Sequence, residues 1–267
     1  MITTTSVKHL HLKSTQIAVK HFKDGELYVK VPKLKGKVAV IASLHPPAEN
    51  ILELLFVLDA LKRQNADIHL IITYFGYTRQ DRINLPGEAV STKVIADMLK
   101  GVKITAFDVH GRLSNFLQFN NIIPVKQFLP FISKNIVIVA PDEGAVQHAK
   151  YWQKCLNAPV VFLKKSRPSH DVSEITSIKG NVKGRNVLIV DDLISTGGTV
   201  IKAAEFLKKS GAKDIFVAAT HGVFAGDALK RLEKSPIKKI FVTDSLPQRK
   251  HRLLKVVSIK GLLKNII

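Results

Sequence analysis

The sequence predicts an α/β protein with two domains in tandem, each built on a mainly parallel β-sheet. Short apolar runs of strand length alternate with patterns of helix length along the chain, and this alternation is typical of parallel sheets covered by helices. The chain has 267 residues, enough for two domains of about 130 residues each. Similar turn sequences follow strands in both halves, which also favours two related units.

The elements follow from the apolar pattern taken in order along the chain. The predicted strands occupy residues 38–42, 68–73, 104–108, 136–140, 160–163, 187–190, 215–219 and 240–243. The predicted helices lie at 48–63, 91–101, 145–156, 199–210 and 227–234. Pro124 and Pro130 interrupt the pattern, and prolines mark such breaks. We therefore place the domain boundary in this region and divide the chain into 1–128 and 129–267.

The composition indicates a soluble, cytoplasmic protein. Hydrophobic residues make up 46% of the chain, and the mean hydropathy is +0.10. No apolar run approaches the roughly 18 residues that cross a bilayer, and the N-terminal sequence lacks the features of a secretory signal. Cys155 is the single cysteine, so an internal disulfide is excluded and a reducing compartment fits.

The formal net charge is +20. Such a charge can accompany nucleic-acid, acidic-lipid or polyphosphate ligands. Here the basic residues are spread along the chain, without a dense block or interleaved aromatic residues. We therefore expect a solvated basic surface with a few cations recruited to phosphate, and neither a nucleic acid nor a membrane as partner.

The most informative stretch is NVLIVDDLISTGGTV at residues 186–200. An apolar strand leads to Asp191 and Asp192, then to a turn of small and hydroxyl residues and a helix start. Such a turn aims backbone N–H groups at an anion, the helix N-terminus adds partial positive charge, and glycine lets a ligand approach closely. Carboxylates beside it suit sugar hydroxyls or Mg²⁺. The stretch predicts a site for a phosphorylated sugar; an ordinary strand–helix turn is the alternative.

Polar residues follow the other strands too, at the edge where open α/β sheets bind ligands. The second strand leads into aromatic residues at 74–77 and the series RQDR at 79–82, which suit stacking on a base and binding of phosphates. His110 follows the third strand and Asp142 the fourth; together they suit Mg²⁺, for which histidine is the weaker ligand. The basic run at 164–170 suits a mobile loop that closes over a polyphosphate.

Four stretches stand in the order found in the ribose-phosphate pyrophosphokinase family: FKDGE at 22–26, YFGYTRQDR at 74–82, DVH at 108–110 and VDDLISTGGT at 190–199. The chain resembles that family over nearly its whole length, and it looks more similar to the compact archaeal-type form than to the longer bacterial and animal forms. Phosphoribosyltransferases share the last motif but lack the N-terminal half. The resemblance implies two tandem phosphoribosyltransferase-type, Rossmann-like domains, the first binding ATP and the second binding ribose 5-phosphate.

The resemblance also implies an activity and a set of residues. In that family the β,γ-diphosphate of ATP is transferred to the C1 hydroxyl of ribose 5-phosphate, which gives phosphoribosyl pyrophosphate (PRPP) and AMP. Mg²⁺ would be the cofactor, held by His110 and Asp142. Lys165 and Arg167 would be the catalytic pair that stabilises the transition state. A homodimer or higher homo-oligomer is implied, because a neighbouring subunit would complete the adenine pocket.

Two groups of binding residues follow from the same motifs. ATP would be bound by Phe22, Asp24, Glu26, Arg79, Gln80, Asp81, Arg82 and His110, of which the first three would come from the neighbouring subunit. Ribose 5-phosphate would be bound by Asp191, Asp192, Ser195, Thr196, Gly197, Gly198 and Thr199.

Some positions depart from the family pattern. Ser195 stands where many relatives have a third acid, Asn84 replaces an acid, and the segment after DVH reads GRLSNFLQFN. Two alternatives therefore stay open: a non-catalytic regulatory relative, and a phosphoribosyltransferase that consumes PRPP. The retained acid pair and basic run argue against the first, and the N-terminal half of the chain argues against the second.

Overall fold

The computed structural model describes residues 1–169 and 172–267, with the backbone alone described at 165–169 and 172–174. The chain divides into two compact units. Unit 1 contains Met1–Ile123, Ser245–Pro247 and Lys260–Ile267, and unit 2 contains Pro124–Asp244 and Gln248–Ile259. The predicted domains, 1–128 and 129–267, are each one continuous segment. In the structure, Ser245–Pro247 and Lys260–Ile267 belong instead to the unit that contains the first half of the chain.

The secondary structure alternates between strands and helices. The strands are β1 Ile2–Thr3, β2 Ala18–His21, β3 Leu27–Lys30, β4 Lys37–Ala42, β5 Asp67–Ile72, β6 Lys103–Phe107, β7 Asn120–Ile122, β8 Val137–Ala140, β9 Val160–Ser169, β10 Val172–Lys179, β11 Val187–Ile194, β12 Ile215–Gly222, β13 Ile237–Thr243 and β14 Leu254–Val257. The α-helices are α1 Glu49–Lys62, α2 Ser91–Met98, α3 Val125–Phe128, α4 Val146–Leu156, α5 Gly198–Lys209, α6 Ala228–Glu233 and α7 Lys260–Ile266. Short 3-10 helices span Thr5–Leu10, Leu113–Asn115 and Leu129–Phe131.

Unit 1 is organised around a parallel sheet in the order β1-β4-β5-β6-β7. Its inner strands are buried, as at Leu70 and Ile72 of β5. Helix α1 contributes Leu54, Leu58 and Leu61 to the same core, a spacing that places them on one helix face. Strands β2 and β3 form a separate antiparallel hairpin.

Unit 2 contains a larger sheet in the order β10-β9-β8-β11-β12-β13-β14. Its neighbouring strands are parallel except β9 and β10, which pair antiparallel. In β11 the side chains of residues 187–190 are fully buried, as expected of an apolar strand covered on both faces. Val187 pairs with Val137 of β8 and Ile215 of β12, so the carboxyl ends of these strands lie at one edge.

The predicted fold class, α/β with mainly parallel sheets, is confirmed. Each predicted strand and helix is present, with ends that shift by a few residues except where β9 and β11 continue further. The elements that sequence analysis missed are short, polar or at sheet edges: β1, β2, β3, β7, β10, β14, α3 and α7. Over the described residues, no helix is long and apolar enough to span a bilayer.

Candidate active site

Strand β11 positions the predicted acid pair. Asp191 and Asp192 lie inside the strand, because the chain continues in register with β12 as far as Ile194. The prediction that the strand ends at Val190 is therefore wrong, since β12 is long enough to pair with the acidic segment, as Asp191 does with Ala219. Both acidic residues are half-buried, at the edge of the sheet where parallel α/β folds bind ligands.

The electrostatics of this edge favour a cation or hydroxyl donors. Burial, followed by the nearby Asp192 and Asp142 carboxylates, raises the pKa of Asp191 to about 8. His148 and a hydrogen bond from Asp192 N–H to Asp191 Oδ1 (3.0 Å) oppose this rise. The ionised form of Asp191 is unfavourable here. A bound cation, or hydrogen bonds from sugar hydroxyls, would stabilise that ionised form.

Asp142 and His148 come from the segment that follows β8. Asp142 Oδ1 accepts a hydrogen bond from Ala145 N at 3.2 Å, which holds the carboxylate at the start of α4. His148 is buried on that helix. His148 could not be predicted as part of the site from the sequence, because a lone histidine in a helical pattern gives no signal of a neighbouring acid pair.

The turn after β11 presents backbone N–H groups. Its carbonyl groups are bonded to the next loop: Ile194 O accepts from Val223 N (3.0 Å) and Phe224 N (3.1 Å), and Ser195 O accepts from Ala225 N (3.1 Å). The N-cap of α5 is glycine, which has no side chain to bond the first N–H groups of the helix. The turn therefore suits an anion such as a phosphate.

The two glycines of the turn differ in role. Gly197 has φ +77°, and an added Cβ would lie 3.1–3.3 Å from the Leu232 side chain, so the fold itself requires glycine. At Gly198 an added Cβ would meet only Thr196 Oγ1, at 3.8 Å. Packing therefore leaves the space beside Gly198 open.

The basic segment after the fifth predicted strand is not a loop over its whole length. Strand β9 continues to Ser169 and pairs with β10, with Lys165 opposite Ile175. The loop prediction for 164–169 is therefore wrong, because an antiparallel partner extends the strand. The side chains of Lys165 and Arg167 lie outside the described residues, and so does residue 170, which completes the predicted segment.

In unit 1 the aromatic residues after β5 are mainly structural. Tyr74 and Phe75 are buried, and Phe75 belongs to the core, so the prediction that this cluster stacks on a base is wrong for these two rings. Tyr77 is half-buried against the same core, whereas Arg79 is exposed and Gln80 half-buried. Arg79 therefore fits the predicted ligand contact better than the aromatic rings do.

Gly76 allows this loop to cross the end of β4. An added Cβ would lie 2.1 Å from the Leu44 carbonyl oxygen. We expect Gly76→Ala to lower the free energy of unfolding by roughly 2–4 kcal/mol, because backbone would have to move. Urea unfolding measures this, and Gly261→Ala in α7, where an added Cβ meets nothing within 4 Å, is the control. Equal stability of the two variants would contradict the packing.

The segment that carries the RQDR series packs closely against the turn that follows the DVH motif. Asp81 Oδ2 accepts a hydrogen bond from Arg112 N at 3.0 Å. Gly111 has φ +78°, and an added Cβ would lie 2.7 Å from Thr78 O. Asp81 therefore has a structural role that sequence analysis did not foresee, while Arg82 is exposed and His110 half-buried.

The predicted adenine-pocket residues lie on the β2–β3 hairpin. Phe22 N donates to Glu26 O at 2.8 Å, and Asp24 Oδ1 accepts from Glu26 N at 3.1 Å. The Phe22 ring is 55% exposed and packs in a T-shaped arrangement with Tyr28, with centroids 5.8 Å apart. The hairpin thus presents an aromatic ring and two acids at its tip.

The predicted metal ligands belong to different units, His110 to unit 1 and Asp142 to unit 2. Within the described part of the chain, no group of three or more His, Cys, Asp or Glu side chains is arranged to hold a metal ion. The Asp192 and Asp142 carboxylates nonetheless help to raise the pKa of Asp191. The His110–Asp142 pair stays a prediction.

Two family profiles match the chain. One, described as the N-terminal domain of ribose phosphate pyrophosphokinase, matches residues 3–102. The other, described as a phosphoribosyl synthetase-associated domain, matches residues 159–267.

Curated relatives and a solved structure match nearly the whole chain. Ribose-phosphate pyrophosphokinase from Caldanaerobacter subterraneus is 38% identical over 97% of this chain and 88% of its own length. The protein of that name from Pyrococcus furiosus is 37% identical over 93% of this chain and 92% of its own. The crystal structure of phosphoribosylpyrophosphate synthetase from Mycobacterium smegmatis superposes with a TM-score of 0.86 and 30% identity, covering 99% of this chain and 96% of that one.

Proposed function

This chain belongs to the ribose-phosphate pyrophosphokinase family, and from that premise we propose that it transfers the β,γ-diphosphate of ATP to the C1 hydroxyl of ribose 5-phosphate, giving PRPP and AMP. The observation that carries the proposal is the acid pair of β11 followed by an anion-binding turn, in a chain 38% identical to a named relative over 97% of its length.

Unit 2 would bind ribose 5-phosphate. The 5-phosphate would sit on the N–H groups of the turn Ser195–Thr199, beside the N-terminus of α5. Asp191 and Asp192 would accept hydrogen bonds from the ring hydroxyls, which would fix the orientation of the sugar. Ser195 would add a neutral hydroxyl where many relatives have an acid, so the sugar contacts there would be weaker.

The open space at Gly198 gives a test of this binding mode. We expect Gly198→Ala to raise KM for ribose 5-phosphate about tenfold or more with little change in the thermal midpoint, because the added Cβ meets the ligand and not the protein. Gly197→Ala should instead lower the thermal midpoint, since its φ of +77° is strained for alanine. Steady-state kinetics and calorimetry measure both. An unchanged KM in Gly198→Ala would contradict the placement of the phosphate.

Unit 1 would bind ATP. Arg79 is exposed at the loop after β5 and would pack its guanidinium against adenine, with Gln80 and Arg82 beside the nucleotide. Asp81 would act through the backbone, since its hydrogen bond to Arg112 N fixes the turn that carries His110. Phe22, Asp24 and Glu26 would complete the adenine pocket of a second subunit, which fits an exposed hairpin tip.

The residues present suit Mg²⁺ as the metal. Asp142, Asp191 and Asp192 offer carboxylate oxygens, which this ion prefers, and the raised pKa of Asp191 marks an edge that a cation would stabilise. Asp142 and His110 would hold the ion, His110 less directly. When bound, Mg²⁺ neutralises charge on the phosphates of ATP.

The chemistry requires little from the protein beyond positioning and charge. The C1 hydroxyl oxygen loses its proton to solvent and forms a bond to the β-phosphorus of ATP as the bond from that phosphorus to the AMP oxygen breaks. Negative charge then spreads over the transferred group and the leaving AMP. Lys165 and Arg167 would stabilise this charge, as cationic side chains do in such transfers.

We further propose that the protein acts in the cytoplasm as a homodimer or higher homo-oligomer. The hairpin tip supports this assembly, because its Phe22 ring is 55% exposed within one chain. Adenine contacts from a second copy would cover it.

The activity is tested by incubating the purified chain with ATP, Mg²⁺ and ribose 5-phosphate and separating nucleotides by ion-exchange chromatography. We expect AMP to form only when ribose 5-phosphate is present. Nucleotide binding without turnover at high enzyme concentration would favour a non-catalytic relative. Pyrophosphate-forming consumption of PRPP with a nucleobase would favour a phosphoribosyltransferase.

A further inference from the structure

A small cavity lies at the amino edge of the unit 2 sheet, away from the acid pair. We call it the amino-edge slot. It has a volume of about 160 Å³ and is lined by Phe131, Ile132, Ser133, Ile136, Asn186, Phe216 and Phe241. Asn186 precedes β11, and Asp191 follows it by five residues on the same strand, so the slot is roughly 16 Å from the sugar site at about 3.3 Å per residue.

We propose that the amino-edge slot binds a small aromatic acid, with a single ring inside the slot and the carboxylate beside Lys255. The volume supports the ring, because an apolar protein cavity of about 150 Å³ holds benzene. The walls support it too: the centroids of the Phe216 and Phe241 rings lie 6.5 Å apart and the rings are tilted by 37°, so a further ring can pack against them by edge or face.

Lys255 supplies the charge that selects an acid. Its Nζ lies 4.6 Å from the centroid of the Phe131 ring. Phe131 is 43% exposed, so the ring and the ammonium group stand at the rim of the slot. Among the described residues, Lys255 is held by this ring and not by a carboxylate. A ligand carboxylate would therefore gain a cation without displacing an ion pair.

Asn186 adds a preference within this class. Its Oδ1 is buried and has no hydrogen-bond partner among the described residues, and an unpaired buried acceptor is costly. A ring hydroxyl deep in the slot would provide a donor once the amide turns toward it. We therefore expect 4-hydroxybenzoate to bind more tightly than benzoate.

The test is calorimetric titration of the full chain with benzoate, toluene and acetate, which separate ring and charge. Benzoate should bind, while toluene and acetate should bind at least several-fold more weakly. Lys255→Met should weaken benzoate binding about threefold to fivefold, as for an exposed ion pair, and leave toluene unchanged. Ser133→Phe should abolish benzoate binding, because Ser133 is an exposed lining residue whose enlarged side chain fills the slot.

Lys134→Met is the matched control, since Lys134 is exposed beside the slot without lining it. Equal heats for benzoate and acetate, or equal losses in Lys255→Met and Lys134→Met, would overturn the proposal. If Ser133→Phe does not fold, the side-chain amide resonance of Asn186 is followed in the wild-type protein. It should shift with 4-hydroxybenzoate and not with acetate; a resonance that both leave unmoved would also overturn the proposal.

Discussion

Asp191→Asn is expected to lower kcat/KM for ribose 5-phosphate by at least about 100-fold and at the same time to stabilise the fold at pH 8. The loss of activity follows because the amide presents only one acceptor oxygen to the sugar hydroxyls and cannot ionise when a cation and the sugar bind. The gain in stability follows because burial and two neighbouring carboxylates make the ionised Asp191 unfavourable.

The pH dependence of this gain has a defined sign. The folded-state pKa of Asp191 is about 8, above an unfolded value of roughly 3.9. Between these values the folded protein keeps a proton that the unfolded chain has released, so the stability of the wild type falls as pH rises through this window. Asparagine does not titrate, so the stability of the variant does not fall with pH for this reason.

Calorimetry in EDTA, which removes bound metal, should therefore find similar thermal midpoints for wild type and variant at pH 4. At pH 8 the variant should have the higher thermal midpoint. An increase of about 1–2 kcal/mol in its free energy of unfolding would raise the midpoint by roughly 2–8 °C. Asp227→Asn is the control, since Asp227 is exposed in the same unit. A midpoint difference that is the same at both pH values would refute the role of burial and neighbouring charge at Asp191.

The second large effect is expected for Lys165→Ala and Arg167→Ala. Each should lower kcat by roughly 10²–10³-fold, the range found when one charge-stabilising donor is removed from a transition state. KM for ATP and ribose 5-phosphate should change much less, because the interaction forms as charge develops on the transferred diphosphate. Rapid-quench measurement of AMP formation separates this chemical step from product release.

Lys164→Ala is the matched control for these variants. Lys164 is exposed and directly precedes Lys165 on β9. Its replacement by alanine removes one positive charge, as each of the other two substitutions does, but keeps both proposed catalytic side chains. A kcat in Lys165→Ala and Arg167→Ala within about twofold of Lys164→Ala would mean that the pair does not act in the reaction.

The elements that sequence analysis predicted are those whose residues carry a strong local pattern. The run at 187–190 is continuously apolar and fully buried, and its short length between polar segments favours a strand. Leu54, Leu58 and Leu61 of α1 recur at helical spacing and are buried in the core, which favours a helix. The β2–β3 hairpin was missed because its strands, AVKH and LYVK, are four residues long and half-exposed. Strand β10 was missed because β9 stabilises a polar segment through antiparallel pairing.

The features of the candidate site also divide into those with a local sequence pattern, which were predicted, and those without one. The motif at 190–199 predicted the acid pair and the turn, because both are continuous in sequence. What sequence did not reveal depends on distant contacts. Asp81 bonds Arg112 thirty-one residues later, Phe75 is drawn into the core, and His148 influences Asp191 across two elements. Only the folded chain brings those groups together.

In the proposed reaction, two phosphoryl groups leave ATP together and join the sugar at C1. Phosphorus-31 NMR of a reaction with ATP, Mg²⁺ and ribose 5-phosphate tests it directly. We predict that the β and γ resonances of ATP are replaced by a coupled pair on a C1-linked diphosphate while AMP accumulates. A single new phosphate resonance on the sugar, with ADP as the nucleotide product, would contradict the account.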